Sequence, residues 1–92
     1  VEFARKWFAA GFRLFKIYYE SDWGLLLRTH DAIREALPEA KVAVDALWHL
    51  PEGRALRCAA ELAERGVEWL ECPLWPEDVE GHARLVEETG VR

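Results

Sequence analysis

The sequence predicts an α/β module of parallel βα repeats, about three strands with covering helices, and three observations carry that expectation. Three short apolar runs, over Phe12 to Tyr18, Lys41 to Trp48 and Val67 to Pro73, each end in polar chemistry, as buried strands bounded by polar turns do. Helix-like segments separate the runs. Strands joined through helices run parallel, and parallel strands present all their C-terminal ends on one face. The strand-plus-helix unit also recurs at about the length of a βα repeat, with no linker and no low-complexity tract between units.

Each element has a local cause. Val1 to Ala10 places Phe3, Ala4, Trp7 and Phe8 on a shared helical face, and Gly11 takes the left-handed conformation that ends a helix. Along the first strand Leu14, Lys16 and Tyr18 point one way, while Phe15 and Ile17 point the other, toward covering helices. Asp22 is the expected N-cap of a helix from Trp23 to about Leu37, whose buried stripe is Leu26, His30, Ile33 and Leu37. A lone histidine in such a stripe reads as packing or as a satisfied polar group rather than a ligand. Pro38 stops that helix and leads into the central strand.

Beyond the central strand, Trp48-His49-Leu50 forms a loop and Pro51 reads as the first residue of the next helix. Ala55, Leu56, Ala59, Leu62 and Ala63 supply its apolar face, and Gly66 closes it. The third strand ends at Glu71-Cys72-Pro73. Trp75 to Asp78 makes a rigid loop before a last helix carrying Val79, Ala83, Leu85 and Val86, which Gly90 ends. Residues 1–92 are thus expected to form a single α/β module.

Composition narrows the function. A hydrophobic fraction of 51% argues for a packed piece rather than disorder. The net charge of −5 speaks against nucleic acid or an anionic membrane surface as partner, because there is no basic excess to displace counterions, and it is compatible with a bound cation. No stretch is apolar enough for a signal core or a membrane span, so a soluble, cytoplasmic protein is expected. Cys58 and Cys72 lack the spacing of a zinc or redox pair and read as two reduced thiols. The chain starts without methionine and stops directly after a helix-ending glycine, which reads as both ends cut from something longer. An eight-stranded α/β barrel needs roughly 250 residues, so three strand units would be only part of one.

Function is expected at the strand ends. If register holds, Asp45 and Glu71 tip adjacent parallel strands on the same side, where two carboxylates repel unless a cation lies between them. Oxygen donors of this kind suit magnesium, which takes one or two protein carboxylates and completes its octahedron with water and substrate oxygens. Lys16 and Tyr18 bring a cation and a phenol to the same mouth, a set able to polarise a substrate carboxylate and move a proton next to it. Spacing alone leaves open that these ends are only solvated or salt-bridged.

A resemblance goes further. Gly11-Phe12-Arg13-Leu14-Phe15-Lys16-Ile17, then Val44-Asp45-Ala46, then Glu68-Trp69-Leu70-Glu71-Cys72-Pro73-Leu74 with Pro76-Glu77-Asp78 and Gly81 to Leu85, resembles the enolase superfamily in its mandelate racemase and muconate lactonising enzyme branch, over almost the whole chain. The resemblance implies a partial TIM (β/α)8 barrel, from about the first helix through the helix after the fourth strand. It implies abstraction of a proton α to a carboxylate, with Mg2+ stabilising the enediolate. Asp45 and Glu71 would be the first two metal ligands, the third lying on a following strand. Lys16 would neutralise the substrate carboxylate. Tyr18 stands where the family's catalytic lysine often is, a place where acid-sugar dehydratase branches use other residue types. Leu47 replaces a common asparagine, and Cys72 the usual second glutamate.

The expected protein is therefore part of a magnesium-dependent acid-sugar dehydratase acting on a small carboxylate, inactive by itself, with a homo-oligomer or the remainder of the barrel as partner. Trp48 and Trp75 in loops beyond the strands would wall the pocket, or simply pack, and His49 would contact substrate or lie on the surface. His82 has no partner at metal spacing. The alternative is a non-catalytic α/β module that self-associates through open strand edges, or a receiver-like signalling domain with Asp45 as phosphoacceptor. Receiver domains place an acidic pair first and a lysine last, the opposite of the order here.

Overall fold

The computed structural model describes residues 1–50 and 53–92. The elements run α1 (Glu2–Ala9), β1 (Leu14–Tyr18), α2 (Trp23–Ala36), β2 (Lys41–Asp45), α3 (Ala55–Glu64), β3 (Leu70–Glu71) and α4 (Val79–Thr89). The three strands form one parallel sheet in the order β1-β2-β3. Leu14 pairs with Lys41 and Tyr18 with Asp45, while Asp45 pairs in turn with Glu71. All three C-terminal ends meet at one rim, as expected of βα repeats.

Alternation divides the sheet into two faces. Phe15, Val42, Val44 and Leu70 are buried on the helix-covered face, where two apolar clusters form. One gathers Trp23 and Leu26 of α2, Val44 of β2, Cys58, Ala59 and Leu62 of α3, and Leu85 of α4. The other joins Ala4, Phe15, Ile33, Ala40 and Val42. Each fully buried aliphatic side chain here, Leu62 above all, contributes about 1.5–3 kcal/mol of transfer free energy. The opposite face carries Leu14, Lys16 and Tyr18, with Leu14 and Tyr18 exposed.

The helix boundaries follow their caps. Asp22 caps α2 by accepting from the Leu25 amide at 2.9 Å, and α2 ends at Ala36, just before Pro38. Asp78 caps α4 by accepting from the Gly81 amide at 2.9 Å, and Gly90 at φ 76° closes that helix. The expected start of the third helix at Pro51 lies outside the described residues; α3 is helical from Ala55. His30 is buried as predicted. Its Nδ1 is hydrogen-bonded to Asp31 Oδ1 at 2.9 Å, and Asp31 pairs with Arg65 just beyond α3 through Nε at 3.0 Å and Nη2 at 3.3 Å. That chain ties α2 to α3.

Three expectations need correction. All strands are shorter than the apolar runs. Phe12 turns back to α1, donating to the Trp7 carbonyl at 3.0 Å, and β2 stops at Asp45 because Leu47 and Trp48 adopt φ 53° and 58°. β3 pairs with β2 only over Leu70 and Glu71, among the described residues, and on its far side the Leu70 amide donates to the Arg92 carbonyl at 2.7 Å. Of the apolar face expected of α1, Ala4 is buried in the second cluster and Phe8 packs partly against it, while Phe3 is 72% exposed and Trp7 is exposed as well. In α4 only Leu85 is buried. Val79, Ala83 and Val86 lie on a stripe turned away from the cluster that holds Leu85.

Candidate metal centre

Asp45 is the last residue of β2 and Glu71 the last of β3, and because they are register partners their side chains leave the sheet on the same side. Asp45 is buried at 6% exposure. One of its oxygens, Oδ1, accepts from the Leu47 amide at 2.9 Å, a local turn that holds the carboxylate over the strand end. Glu71 is held from its own strand, since Trp69 lies two residues earlier on the same face and its indole N–H donates to Glu71 Oε1 at 3.2 Å.

Lys16 reaches across from β1. Its Nζ lies 3.4 Å from Glu71 Oε2 and 4.0 Å from Asp45 Oδ2, so an ammonium sits between the two carboxylates. The same nitrogen lies 5.5 Å from the centre of the Tyr18 ring, which shares its face of β1. Burial works to lower the Lys16 pKa, but the hydrogen bond to Glu71 and the charges of Glu71, Tyr18 and Asp45 outweigh it and hold the amine above its ordinary value. Glu71 is held below the ordinary carboxylate range, first by the hydrogen bond shared with the Asp45 carboxyl, then by the Trp69 indole and Lys16, against an opposing push from burial. The sequence-predicted set of Lys16, Tyr18, Asp45 and Glu71 is therefore one cluster.

Residues 1–92 match the enolase C-terminal domain-like family. The chain belongs to that family. Three solved structures show its likeness. A candidate mandelate racemase from Bordetella bronchiseptica RB50, complexed with 2-oxoglutarate/phosphate, is 29% identical, with a TM-score of 0.87 over 99% of this chain and 25% of the other. A racemase from Streptomyces coelicolor A3(2) with bound magnesium is 33% identical, with a TM-score of 0.83 over 98% of this chain and 26% of the other. The 3,6-anhydro-D-galactonate cycloisomerase from Zobellia galactanivorans is 26% identical, with a TM-score of 0.85 over 98% and 26%. The chain thus spans about a quarter of the length of these proteins. No curated protein matches it.

The donor chemistry of this enolase-type chain fits a divalent ion. Asp45 and Glu71 supply oxygens from neighbouring strands, and the Lys16 ammonium shows that positive charge is accommodated between them. Sequence reasoning missed the third donor beside them. Cys72 Sγ, Asp45 and Glu71 offer ligand atoms all within 4.8 Å of one another. Alternation would send the residue after Glu71 to the helix face, but Cys72 adopts φ 52° and turns back. Its thiol is pushed up from the ordinary value by burial and by the charges of Asp45 and Glu71. The Trp69 bond to Glu71, by contrast, was findable from the two-residue period of a strand.

Beyond the rim, Trp48 and Trp75 stack on each other with ring centres 6.3 Å apart and planes 13° from parallel. Both are exposed, at 46% and 65%, so they are not core residues. They line a cavity of about 460 Å³ together with Leu50, Pro73, Leu74 and Asp78. His49 is exposed on the same loop, and its Nδ1 is hydrogen-bonded to the Glu20 carbonyl at 3.1 Å. A larger cavity of about 520 Å³ lies along α1 and the open edge of β1, reaching the cluster only at Lys16. It is apolar and carries none of the carboxylates.

Proposed function

We propose that residues 1–92 form one arc of the C-terminal barrel of a magnesium-dependent enzyme that removes the proton α to a carboxylate, and that the enzyme is an acid-sugar dehydratase. The observation that carries this is the pairing of Asp45 with Glu71 on adjacent parallel strands, with Lys16 bridging their carboxylates. Family membership supports the chemistry, and the magnesium in the Streptomyces coelicolor racemase supports the ion. The cycloisomerase, named for a sugar-acid substrate, supports the substrate class.

Asp45 and Glu71 would hold magnesium, which when bound supplies the positive charge that makes the α-proton of a nearby carboxylate acidic. Lys16, an amine charged at neutral pH, would pair with the substrate carboxylate. Tyr18, at the same mouth, would hydrogen-bond the substrate through its phenol at the place of the family's usual base. A dehydratase then needs a base that takes the α-proton and an acid that protonates the departing β-hydroxyl as water, and those groups would come from later strands. Trp48 and His49, on the loop after β2, would wall the substrate. The 92 residues alone are expected to be inactive. We infer a cytoplasmic location, which two reduced thiols, Cys58 and Cys72, would suit.

The test is to incubate the protein carrying these residues with a panel of acid sugars and magnesium in D2O, following α-proton loss by NMR. Magnesium-dependent loss of the α-proton with release of water is expected. No exchange and no dehydration of any acid sugar would overturn the reading.

A second reading rests on the open edge of β1, where Phe3, Trp7, Phe12 and Leu14 are exposed around the 520 Å³ cavity. An uncovered parallel edge of this kind pairs readily, either with the remainder of the barrel or with a second copy. Sedimentation of the 92 residues separates a monomer from a self-paired module.

A further inference from the structure

Beyond the strand ends lies an aromatic surface that the chemistry of Asp45 and Glu71 does not use. Trp48 and Trp75, on the loops after β2 and β3, stack with planes 13° from parallel and yet remain 46% and 65% exposed. Both are held through their backbones. The Trp48 amide donates to the Cys72 carbonyl at 3.0 Å, and the Trp75 carbonyl, between Pro73 and Pro76, accepts from the Asp78 amide at 3.0 Å. Trp48 is also left-handed at φ 58°, and backbone strain at so bulky a residue is concentrated at binding sites. The indole N–H groups of Trp23 and Trp69 donate to Glu61 and Glu71, whereas those of Trp48 and Trp75 have no partner among the described residues. The cavity of about 460 Å³ beside the pair has the size of a small-molecule site, and its lining includes Asp78 but none of Lys16, Tyr18, Asp45 and Glu71.

We propose that Trp48 and Trp75 form a stacking platform for a pyranose ring, and that this ring is the part of the substrate that does not react. The proposal rests on the reading of the enzyme as one that acts on acid sugars, and it deepens that reading: the substrate is an acid that carries a second, linked sugar ring. The C–H groups on one face of a pyranose are slightly positive and are attracted to the negative face of an indole. Two nearly parallel indoles offer flat faces for that contact, whereas a cage for an organic cation sets its rings at angles around the charge. Sugar hydroxyls both donate and accept. The two indole N–H groups are donors for them, and Asp78, whose Oδ1 caps α4 through the Gly81 amide at 2.9 Å, keeps Oδ2 to accept. Because the cavity is lined by none of the four residues of the cluster, the ring on the tryptophans lies outside the reacting centre, joined to the acid that Lys16 holds.

Methyl β-D-glucopyranoside and cellobiose are neutral probes that need neither the metal nor a substrate carboxylate. In saturation-transfer NMR on the full chain without metal, transfer from the protein to the ring C–H protons of both sugars is expected. Trp48→Ala and Trp75→Ala are each expected to raise Kd about two- to tenfold, the worth of one aromatic contact, while Trp7→Ala, which removes an exposed indole on α1, stays within about twofold. Trp75→Phe keeps a ring and is expected to retain most of the affinity, which separates a lost platform from a lost fold. No transfer to either sugar, transfer undiminished in the double variant Trp48→Ala/Trp75→Ala, or a preference for tetramethylammonium over both sugars would each overturn the platform and leave the carboxylate pair standing. Sugar binding lost with the two tryptophans, beside acids that never exchange their α-proton, would uphold the platform and overturn the dehydratase reading alone.

Discussion

The Trp48 amide donates to the Cys72 carbonyl at 3.0 Å, and both residues hold left-handed backbone, at φ 58° and 52°. Leu47 joins them at φ 53°. Left-handed backbone costs an L-residue roughly 1–2 kcal/mol, so three such residues at one rim persist only because their surroundings over-determine them. The determinants are visible. The Ala46 amide donates to the Glu71 carbonyl at 2.8 Å, and the Leu47 amide to Asp45 Oδ1 at 2.9 Å. The turn after β2 and the tail of β3 are stitched into one unit, and that unit presents the carboxylates.

Leu47 tests the cost of that unit. Asparagine visits the left-handed region far more readily than leucine. Leu47→Asn is expected to hold or raise stability by up to about 1 kcal/mol despite the lost apolar surface, whereas β-branched Leu47→Val is expected to lower it by more than about 1 kcal/mol. Urea unfolding of the two variants beside wild type reads the difference.

Glu71 gives the site a pH signature. Its folded pKa lies below the ordinary value, so its charge stabilises the fold in full above about pH 4.3, the unperturbed glutamate value, and that contribution is lost as pH falls through the depressed folded pKa. Glu71→Gln is expected to flatten this acid limb of the stability profile. The same variant should leave Lys16 with a lower pKa, readable by NMR titration, because its largest raising partner is gone.

Asp31 behaves in the same direction for a different reason. The Arg65 guanidinium first, and His30 second, hold its carboxyl below the usual range against the push of burial. Asp31 is more than half exposed, so the pair is screened, and Asp31→Asn is expected to cost only about 0.5–1 kcal/mol at neutral pH. The cost should vanish as pH falls through the depressed Asp31 pKa. Thermal unfolding of wild type and variant over a series of pH values from 7 downward into acid checks both statements.

Leu62 probes the other side of the sheet. It is fully buried in α3 within the cluster that Val44 and Leu70 share. Leu62→Ala is expected to cost about 2–5 kcal/mol, the range for a leucine deleted from a packed core. A loss under 1 kcal/mol in chemical denaturation would mean that this cluster is loosely packed.

Much of this was legible from residue order and alternation. The two-residue period put Lys16 and Tyr18 on one face of β1 and Phe15 and Ile17 on the other, and βα spacing put Asp45 beside Glu71. Cys72 was not legible, because a single positive φ reverses the face that alternation assigns. Nor was the stacking of Trp48 on Trp75, which depends on how two loops lie across each other. The exposed Phe3 and Val79 show a further limit: periodicity tells which face of a helix is apolar, not whether anything lies against it.

Calorimetric titration of magnesium into the protein, as wild type, Asp45→Asn and Glu71→Gln, is the most direct test of a metal centre built from two strand ends. The expected result is saturable binding near one ion per chain in the wild type and its loss in both variants. Absent binding in the wild type, or undiminished binding in Asp45→Asn, would contradict it.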